Sequence, residues 1–437
     1  MNDKTRRWEA YIEGIEDGLK GTVTVSGSKN ASFPVLAATL LTKDPCFVQN
    51  VPQLRDIEVM LSLLGSLGTD IQKQKDGSWR LQSAVIGSGK KVPDGHLITK
   101  IRGSVYFLGA LLAHQGYAEM PFPGGCSFGD RPIDLHLRGF EALGAHVTVQ
   151  PDKIILIAPD GLRGATIFLG GPVGGSVTGT ANILLAAVLA KGVTRIEYAA
   201  CEPEVVELCQ LLVAMGAHIR GIGSPILEIE GVDTLKGFSH MMASDRIEAG
   251  TWVLIGLCAG HATQPIIIQG FPQENLGALL FVLQEMGAIW DLSGDCMRIL
   301  GGQNLRATAV HALPYPGFPT DLQAPMAVLM SLAQGESEIY DHIYPKRFLY
   351  AEELKRMGAH VEIFSGALKI CQSSLRGARV QATDLRAGVA LYIAGLVAEG
   401  VTQIAKAEYV DRGYEHFEEK LRNLGAHVQK RAVDVDR

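Results

Sequence analysis

Four basic side chains in this sequence stand where helices are expected to begin: Lys29, Arg102, Arg246 and Arg386. Each belongs to a short polar loop that runs into an apolar, alanine-rich stretch. The loops are Ser28-Lys29-Asn30, Lys100-Ile101-Arg102, Ser244-Asp245-Arg246 and Thr383-Asp384-Leu385-Arg386, and Thr178-Gly179-Thr180 and Thr320-Asp321-Leu322 are two further copies. Ser28, Thr178, Ser244, Thr320 and Thr383 are residue types that cap helices, because their oxygens accept from otherwise unpaired N–H groups. Cations have no such reason to be there, since a helix start carries partial positive charge and attracts anions. They are either solvated surface charges or the lining of a site for an anionic ligand. Their recurrence at one structural position favours the second reading.

Cys126 lies in the segment from Pro121 to Asp134, which has glycine at 124, 125 and 129 and proline at 121, 123 and 132. This composition predicts a mobile surface loop. Asp130 and Arg131 follow closely. The arginine would favour the thiolate, whereas closure of the loop over a site would hold the thiol protonated. The other six cysteines lack this setting. Their wide spacing, with no CxxC pair and no cysteine–histidine cluster, predicts reduced thiols and neither a disulfide framework nor a zinc site.

The elements that would hold these residues are repeated six times. A Leu/Met-Gly-Ala-like tripeptide recurs with its glycine at 68, 144, 216, 287, 358 and 425. Each glycine follows a helical pattern such as Glu352-Glu-Leu-Lys-Arg-Met357, so it is expected as a left-handed helix cap. The residues after it alternate as a strand does. Some 36 to 42 residues before each glycine comes one of the six polar loops and its apolar helix. A helix apolar all round is buried on every side. Each unit therefore predicts one internal helix, one amphipathic outer helix and several strands. Units of this length are too large for a solenoid and read as α/β folding units, three to a domain.

The length of 437 residues suits two domains, and 47% hydrophobic with 20% charged residues suits a packed globular chain. A net charge of −6 gives no general attraction to nucleic acid or anionic lipid, so positive charge for an anionic ligand must be gathered locally. No apolar stretch approaches the roughly 18 residues of a membrane span. The first residues carry basic side chains without an apolar stretch after them, which does not read as a secretory signal. The expected location is the cytoplasm, without a membrane or nucleic-acid partner.

Over essentially its whole length the chain resembles the enolpyruvyl transferases. The motifs that carry the likeness are Ser26-Gly-Ser-Lys-Asn-Ala31, Pro123-Gly-Gly-Cys-Ser-Phe-Gly-Asp-Arg-Pro-Ile-Asp-Leu-His136, Gly317-Phe-Pro-Thr-Asp-Leu-Gln-Ala324 and Asp411-Arg-Gly-Tyr-Glu415. The related shikimate-pathway synthase shares the two-domain, six-unit fold but lacks the Gly-Gly-Cys loop. The resemblance implies an α/β fold of two similar domains, the inside-out α/β barrel of this family, with buried helices surrounded by sheets and outer helices. One domain would hold residues 29–243, the other residues 1–28 plus 244–437, with the active site in the cleft between them.

It also implies roles. Phosphoenolpyruvate and UDP-N-acetylglucosamine would be the substrates, with no metal or organic cofactor, in peptidoglycan synthesis. Lys29 and Asn30 would lie against phosphoenolpyruvate and the sugar. Arg102, Arg131 and Arg412 would hold the phosphate and carboxylate in bidentate forks, and Arg347 and Arg386 would add to the positive site. The backbone of Arg131, Pro132, Ile133, Asp134 and Leu135, and of Ser176 and Val177, would hold the uridine diphosphate end, with Asp321 and Ile343 on the nucleotide sugar. Asp321 would take the acceptor hydroxyl's proton, and Cys126 would donate one to the methylene carbon and be the target of fosfomycin. Where many members carry a lysine, this chain has Gly174, and Cys201 precedes the retained Glu202-Pro203-Glu204. The first departure motivates a second reading, the same chemistry on another nucleotide or sugar acceptor. A third, a non-catalytic sensor of UDP-sugars, is opposed by the joint presence of Lys29, Cys126, Asp321 and Arg412.

Overall fold

The six expected units appear as six pairs of helices, each pair followed by a strand. The computed structural model describes residues 6–83, 90–124, 133–171 and 174–434. Its helices of seven residues or more alternate between an inner and an outer kind: α1 (Lys29–Ala38), α2 (Arg55–Ser66), α3 (Phe107–Gln115), α4 (Asp134–Ala142), α5 (Val177–Ala187), α6 (Pro203–Ala214), α7 (Arg246–Ala259), α8 (Gly277–Met286), α9 (Gln323–Leu332), α10 (Tyr350–Arg356), α11 (Leu385–Val397) and α12 (Phe417–Asn423). The odd-numbered helices are the ones buried over most of their surface. In α11 every residue but the last is buried. The even-numbered helices bury one stripe only, as α2 does with Ile57, Met60, Leu63 and Leu64. After each outer helix the predicted glycine takes a φ between +88° and +108°. That left-handed turn ends the helix and aims the chain into the next strand.

In five units the outer helix leads into an antiparallel strand pair, such as Thr69–Lys73 with Trp79–Ser83. In the sixth, Val428–Asp434 pairs with Arg6–Glu13 from the start of the chain. Five sheets add a parallel pair that brackets an inner helix. Thus Arg379–Gln381 runs through α11 to its parallel partner Val401–Ala405. The sheets stay separate, and no closed sheet barrel forms among the described residues. The inside-out arrangement is therefore one of inner helices packed against separate small sheets, six of three or four strands and one two-stranded hairpin among the described residues.

The described chain divides into two compact units, residues 6–26 with 244–434, and residues 27–243. Each has its own apolar core. At the two crossings the bracketing strands are exchanged. Gly21–Thr24 precedes α1 but pairs with Ile266–Gln269, which follows α7; Ser239–Met241 precedes α7 but pairs with Cys46–Gln49, which follows α1. The connecting residues are held by Ser28 N–H donating to Ala243 O (2.7 Å) and Asp245 N–H donating to Ser26 O (2.8 Å). Among the described residues no helix is long and apolar enough to cross a membrane.

Candidate active site

In the unit of residues 27–243 the starts of three inner helices come together. Ser28 caps α1 by accepting from Ala31 N–H. Lys29, the first residue of the helix, is 5% exposed, and its ammonium lies 3.0 Å from the equally buried Asp56 of α2. Asn30 follows, half-buried. A buried cation is costly unless paired, and Asp56 supplies a pairing charge for Lys29. Phe33, one turn on, packs against the loop of Arg102: a Cβ at Gly103 would lie 2.3 Å from its ring. Arg102 opens a 3-10 turn, Arg102–Tyr106, that leads into α3.

Arg102 in turn faces His136 of α4. Burial drives this imidazole down to about 3, and the positive charge of Arg102 adds to the effect. The hydrogen bonds assign the tautomer. Asn182 of α5 accepts from Gly109 N–H through Oδ1 (2.7 Å), so its amide nitrogen donates to Val105 O (2.8 Å) and to His136 Nδ1 (3.0 Å). His136 therefore carries its proton on Nε2 and donates to Thr178 Oγ1 at 3.1 Å. This network ties α3, α4 and α5 into one support behind Arg102 and the α5 N-terminus. Ser176 caps α5 by accepting from Gly179 N–H, and Val177 is its first residue. Ile133 is buried just before α4, Asp134 is exposed as its first residue, and Leu135 is half-buried, with a methyl near Gly171. The expected loop residues Cys126, Arg131 and Pro132 lie outside the described residues. Gly174, in the hairpin Gly170–Gly171 with Gly174–Gly175, has φ +108°, a conformation a lysine adopts only with strain.

The close approach of α3 to α5 depends on Gly109, where a Cβ would lie 2.2 Å from Asn182 O. Gly109→Ala is expected to destabilise the protein by about 1–3 kcal/mol through overpacking. The readout is the thermal unfolding midpoint, and an unchanged midpoint would mean that the two helices have room to part.

In the unit of residues 6–26 and 244–434 the cap readings need correction. Asp245 and Asp384 cap α7 and α11, each carboxylate accepting two N–H groups, rather than Ser244 and Thr383. An anionic cap also meets the helix dipole favourably, which a hydroxyl cannot. Thr178 and Thr320 are no caps either: one accepts from His136, and the other donates to Asp341 Oδ2 at 2.6 Å. Asp321 lies in the 3-10 turn before α9 and binds two arginines, Arg347 Nη1 at 2.7 Å and Arg386 Nη2 at 2.9 Å, one on each carboxylate oxygen. Both guanidinium groups are nearly buried, while Asp321 keeps about a quarter of its side chain accessible (26%). Burial alone would raise its carboxyl; Arg386 and Arg347 reverse that and hold it well below the usual range. Arg386 also lies over the ring of Tyr414 at 5.1 Å. Gly413 packs on Leu385 and Arg386, which brings the 3-10 turn Ala407–Arg412, and so Arg412, beside this cluster. Asp341, almost fully buried, accepts from Ile343 N–H (2.9 Å) and Tyr344 N–H and holds Thr320 and Gln323. Arg246, the first residue of α7, lies over the Tyr315 ring at 5.7 Å.

Two of the cations read as calling for an anion, Lys29 and Arg386, thus have a carboxylate of the chain itself in place. Asp56, Asp341, Asn182 and the role of His136 carry no motif of their own in the sequence. His136 ends one of the quoted motifs, and that is the one signal that pointed towards this group.

The sequence model of EPSP synthase (3-phosphoshikimate 1-carboxyvinyltransferase) matches residues 14–421. UDP-N-acetylglucosamine 1-carboxyvinyltransferase from Akkermansia muciniphila is 41% identical over 415 residues, 94% of this chain and 96% of that protein. The one from Magnetococcus marinus is 44% identical over 415 residues, 94% and 97% of the two. UDP-N-acetylglucosamine 1-carboxyvinyltransferase 2 of Bacillus subtilis is 42% identical over 423 residues, 96% of each. Among solved structures, the enolpyruvyl transferase NikO from Streptomyces tendae superposes with a TM-score of 0.88 at 23% identity, covering 98% of this chain and all of that one. An EPSP synthase from Acinetobacter baumannii gives 0.72 at 19% identity over 97% of this chain and all of that one. These two likenesses establish the fold.

Proposed function

This chain belongs to the EPSP synthase family of carboxyvinyltransferases, and we propose that it transfers the enolpyruvyl group of phosphoenolpyruvate to the 3-hydroxyl of UDP-N-acetylglucosamine. Phosphate is released, and the reaction is the first step of peptidoglycan synthesis, carried out in the cytoplasm. The observation that carries the reading is identity above 40%, over almost the full chain, to proteins named for that reaction. The sequence retains Lys29, Cys126, Asp321 and Arg412 together.

In the proposed mechanism Lys29, Arg102, Arg131 and Arg412 hold the phosphate and carboxylate of phosphoenolpyruvate. Asn30 lies on the sugar side, and Ile343 lies against the nucleotide sugar. The segments 131–135 and 176–177 hold the diphosphate end through backbone N–H groups and the α5 N-terminus. The acceptor oxygen bonds to C2 of phosphoenolpyruvate and gives its proton to Asp321, while Cys126 gives a proton to C3. The tetrahedral adduct then returns a proton from C3 to the Cys126 thiolate and expels phosphate from C2, which restores the double bond. Lys29 and the arginines stabilise the leaving phosphate. No step calls for a metal or an organic cofactor.

Asp321 as it stands is a weak base, because Arg347 and Arg386 occupy its two oxygens. A substrate anion that draws Arg386 to itself leaves Asp321 with one arginine and a higher proton affinity. Binding of phosphoenolpyruvate would thereby prepare the base at the moment it is needed.

Phosphate release from phosphoenolpyruvate, measured with and without UDP-N-acetylglucosamine, tests the reading. Release that requires the UDP-sugar supports it. The backbone at Gly174 favours the second reading, in which a nearby lysine contact to the diphosphate is missing and another acceptor is used. Release that ignores UDP-N-acetylglucosamine but requires UMP or shikimate 3-phosphate would establish that alternative. Fosfomycin is expected to attach to one residue, Cys126, and Cys126→Ser to abolish the adduct in intact-mass measurements. An adduct that survives the substitution places the reactive thiol elsewhere.

A further inference from the structure

We infer a second anion site, for a small phosphoryl- or pyrophosphoryl-bearing molecule, on the outer face of the sheet formed by Arg379–Gln381, Val401–Ala405, Arg6–Glu13 and Val428–Asp434. A cavity of about 680 Å³ opens there, lined chiefly by Arg7, Glu9, Glu353, Arg356, Arg379 and Lys406. The volume suits a small ligand. Side chains on a strand alternate between faces, and here Val380, Ile404 and Ala10 are buried on the inner face. Arg379, Ala405, Arg7 and Glu9 consequently face outward into the cavity. Gln381 and Ala405 are the last residues of the two parallel strands, and the carboxyl ends of parallel strands are where open α/β sheets take ligands.

The charges in the cavity are unbalanced. Four cations meet two carboxylates, and those carboxylates are largely engaged by neutral donors. Glu9 accepts from Gln403 Nε2 (2.6 Å) and the Tyr11 hydroxyl (2.9 Å), and Glu353 accepts from Gln381 N–H (3.0 Å). Their ion pairs are long, 3.5 Å to Arg379 and 3.6 Å to Arg356. Arg7 and Lys406 have no ion pair among the described residues. On a chain whose net charge is −6, such a cluster does not follow from general basicity. Lys406 also has φ +57°, a conformation unfavourable to a side-chain-bearing residue, of the kind kept at functional positions. Among the described residues the lining has no aromatic ring to stack a base, so the recognised part is the phosphoryl group itself, whose three acceptor oxygens match guanidinium and ammonium donors.

The site is tested with inorganic pyrophosphate as the probe, by calorimetric titration of the full chain at low salt. Arg386→Gln serves as the background, so that binding in the proposed reaction site is weakened and the second site is read from the difference that its own substitutions make. Pyrophosphate is expected to bind this background, and adding Arg379→Ser with Lys406→Ser is expected to weaken binding by about tenfold or more. Absence of binding in the background, or binding unchanged by the two serines, overturns the inference. The same two serines in the otherwise unaltered chain should leave the thermal midpoint and phosphate release from phosphoenolpyruvate near wild type, which separates a lost site from a lost fold.

Discussion

Asp321→Asn is expected to lower kcat by about a thousandfold, the scale of a lost general base. The amide keeps the shape but has no proton affinity at neutral pH, and it can accept through one oxygen where the carboxylate accepts through two. Arg347 and Arg386 are then buried without their carboxylate, and breaking such a pair destabilises by about 3–5 kcal/mol. The pH dependence has a definite sign. The carboxyl is held below its ordinary range in the folded chain, so its contribution is complete above the unfolded value of about 3.9 and is lost as pH falls towards the folded value. Denaturation of wild type and variant should therefore differ by a constant amount at neutral pH and converge in acid. A kcat within tenfold of wild type would remove Asp321 from the chemistry and leave it as a holder of arginines.

Lys29→Met should lower kcat/KM for phosphoenolpyruvate by about three orders of magnitude, as expected for a charge aimed at a departing phosphate. It also strands Asp56, buried in α2 3.0 Å from the lost ammonium. Adding Asp56→Asn removes the uncompensated charge. The double variant should regain most of the stability and none of the activity. Recovery of activity in the double variant would mean that Lys29 serves only to balance Asp56.

The repeats were legible because each rests on local chemistry. A glycine just past the last turn of an amphipathic helix needs no distant partner to take its left-handed turn, so all six caps are marked by local sequence alone. The inner helices were legible for the same reason, being apolar on every side. The site was legible in its cations and not in their partners. Lys29 and Arg386 stood out against the helix dipole, but Asp56 and Asp321 reach them only through folding, the second across 65 residues. Capping failed where a carboxylate stood beside a hydroxyl, at Ser244–Asp245 and Thr383–Asp384, because the stronger acceptor won. The His136–Asn182–Thr178 network left little local trace, since each side chain gains meaning from a different helix. The strand exchange left none: Phe47 N–H donates to Phe238 O, a pairing no local pattern announces.

That exchange bears on how such a chain could have been assembled. Residues 27–243 begin and end at one place, with Ser28 and Ala243 joined by a backbone hydrogen bond, and the flanking segments meet likewise at Ser26 and Asp245. Each three-unit body thus keeps all of its sheets within itself, and the chain of one interrupts the chain of the other without cutting a sheet. A short link from Ser26 to Ser244 would make the host chain continuous, and Ala243 and Ser28 are near enough for the guest's two ends to be joined. Duplication of an ancestral three-unit body, followed by insertion of a copy opened at a different point of the repeat, would account for this connectivity.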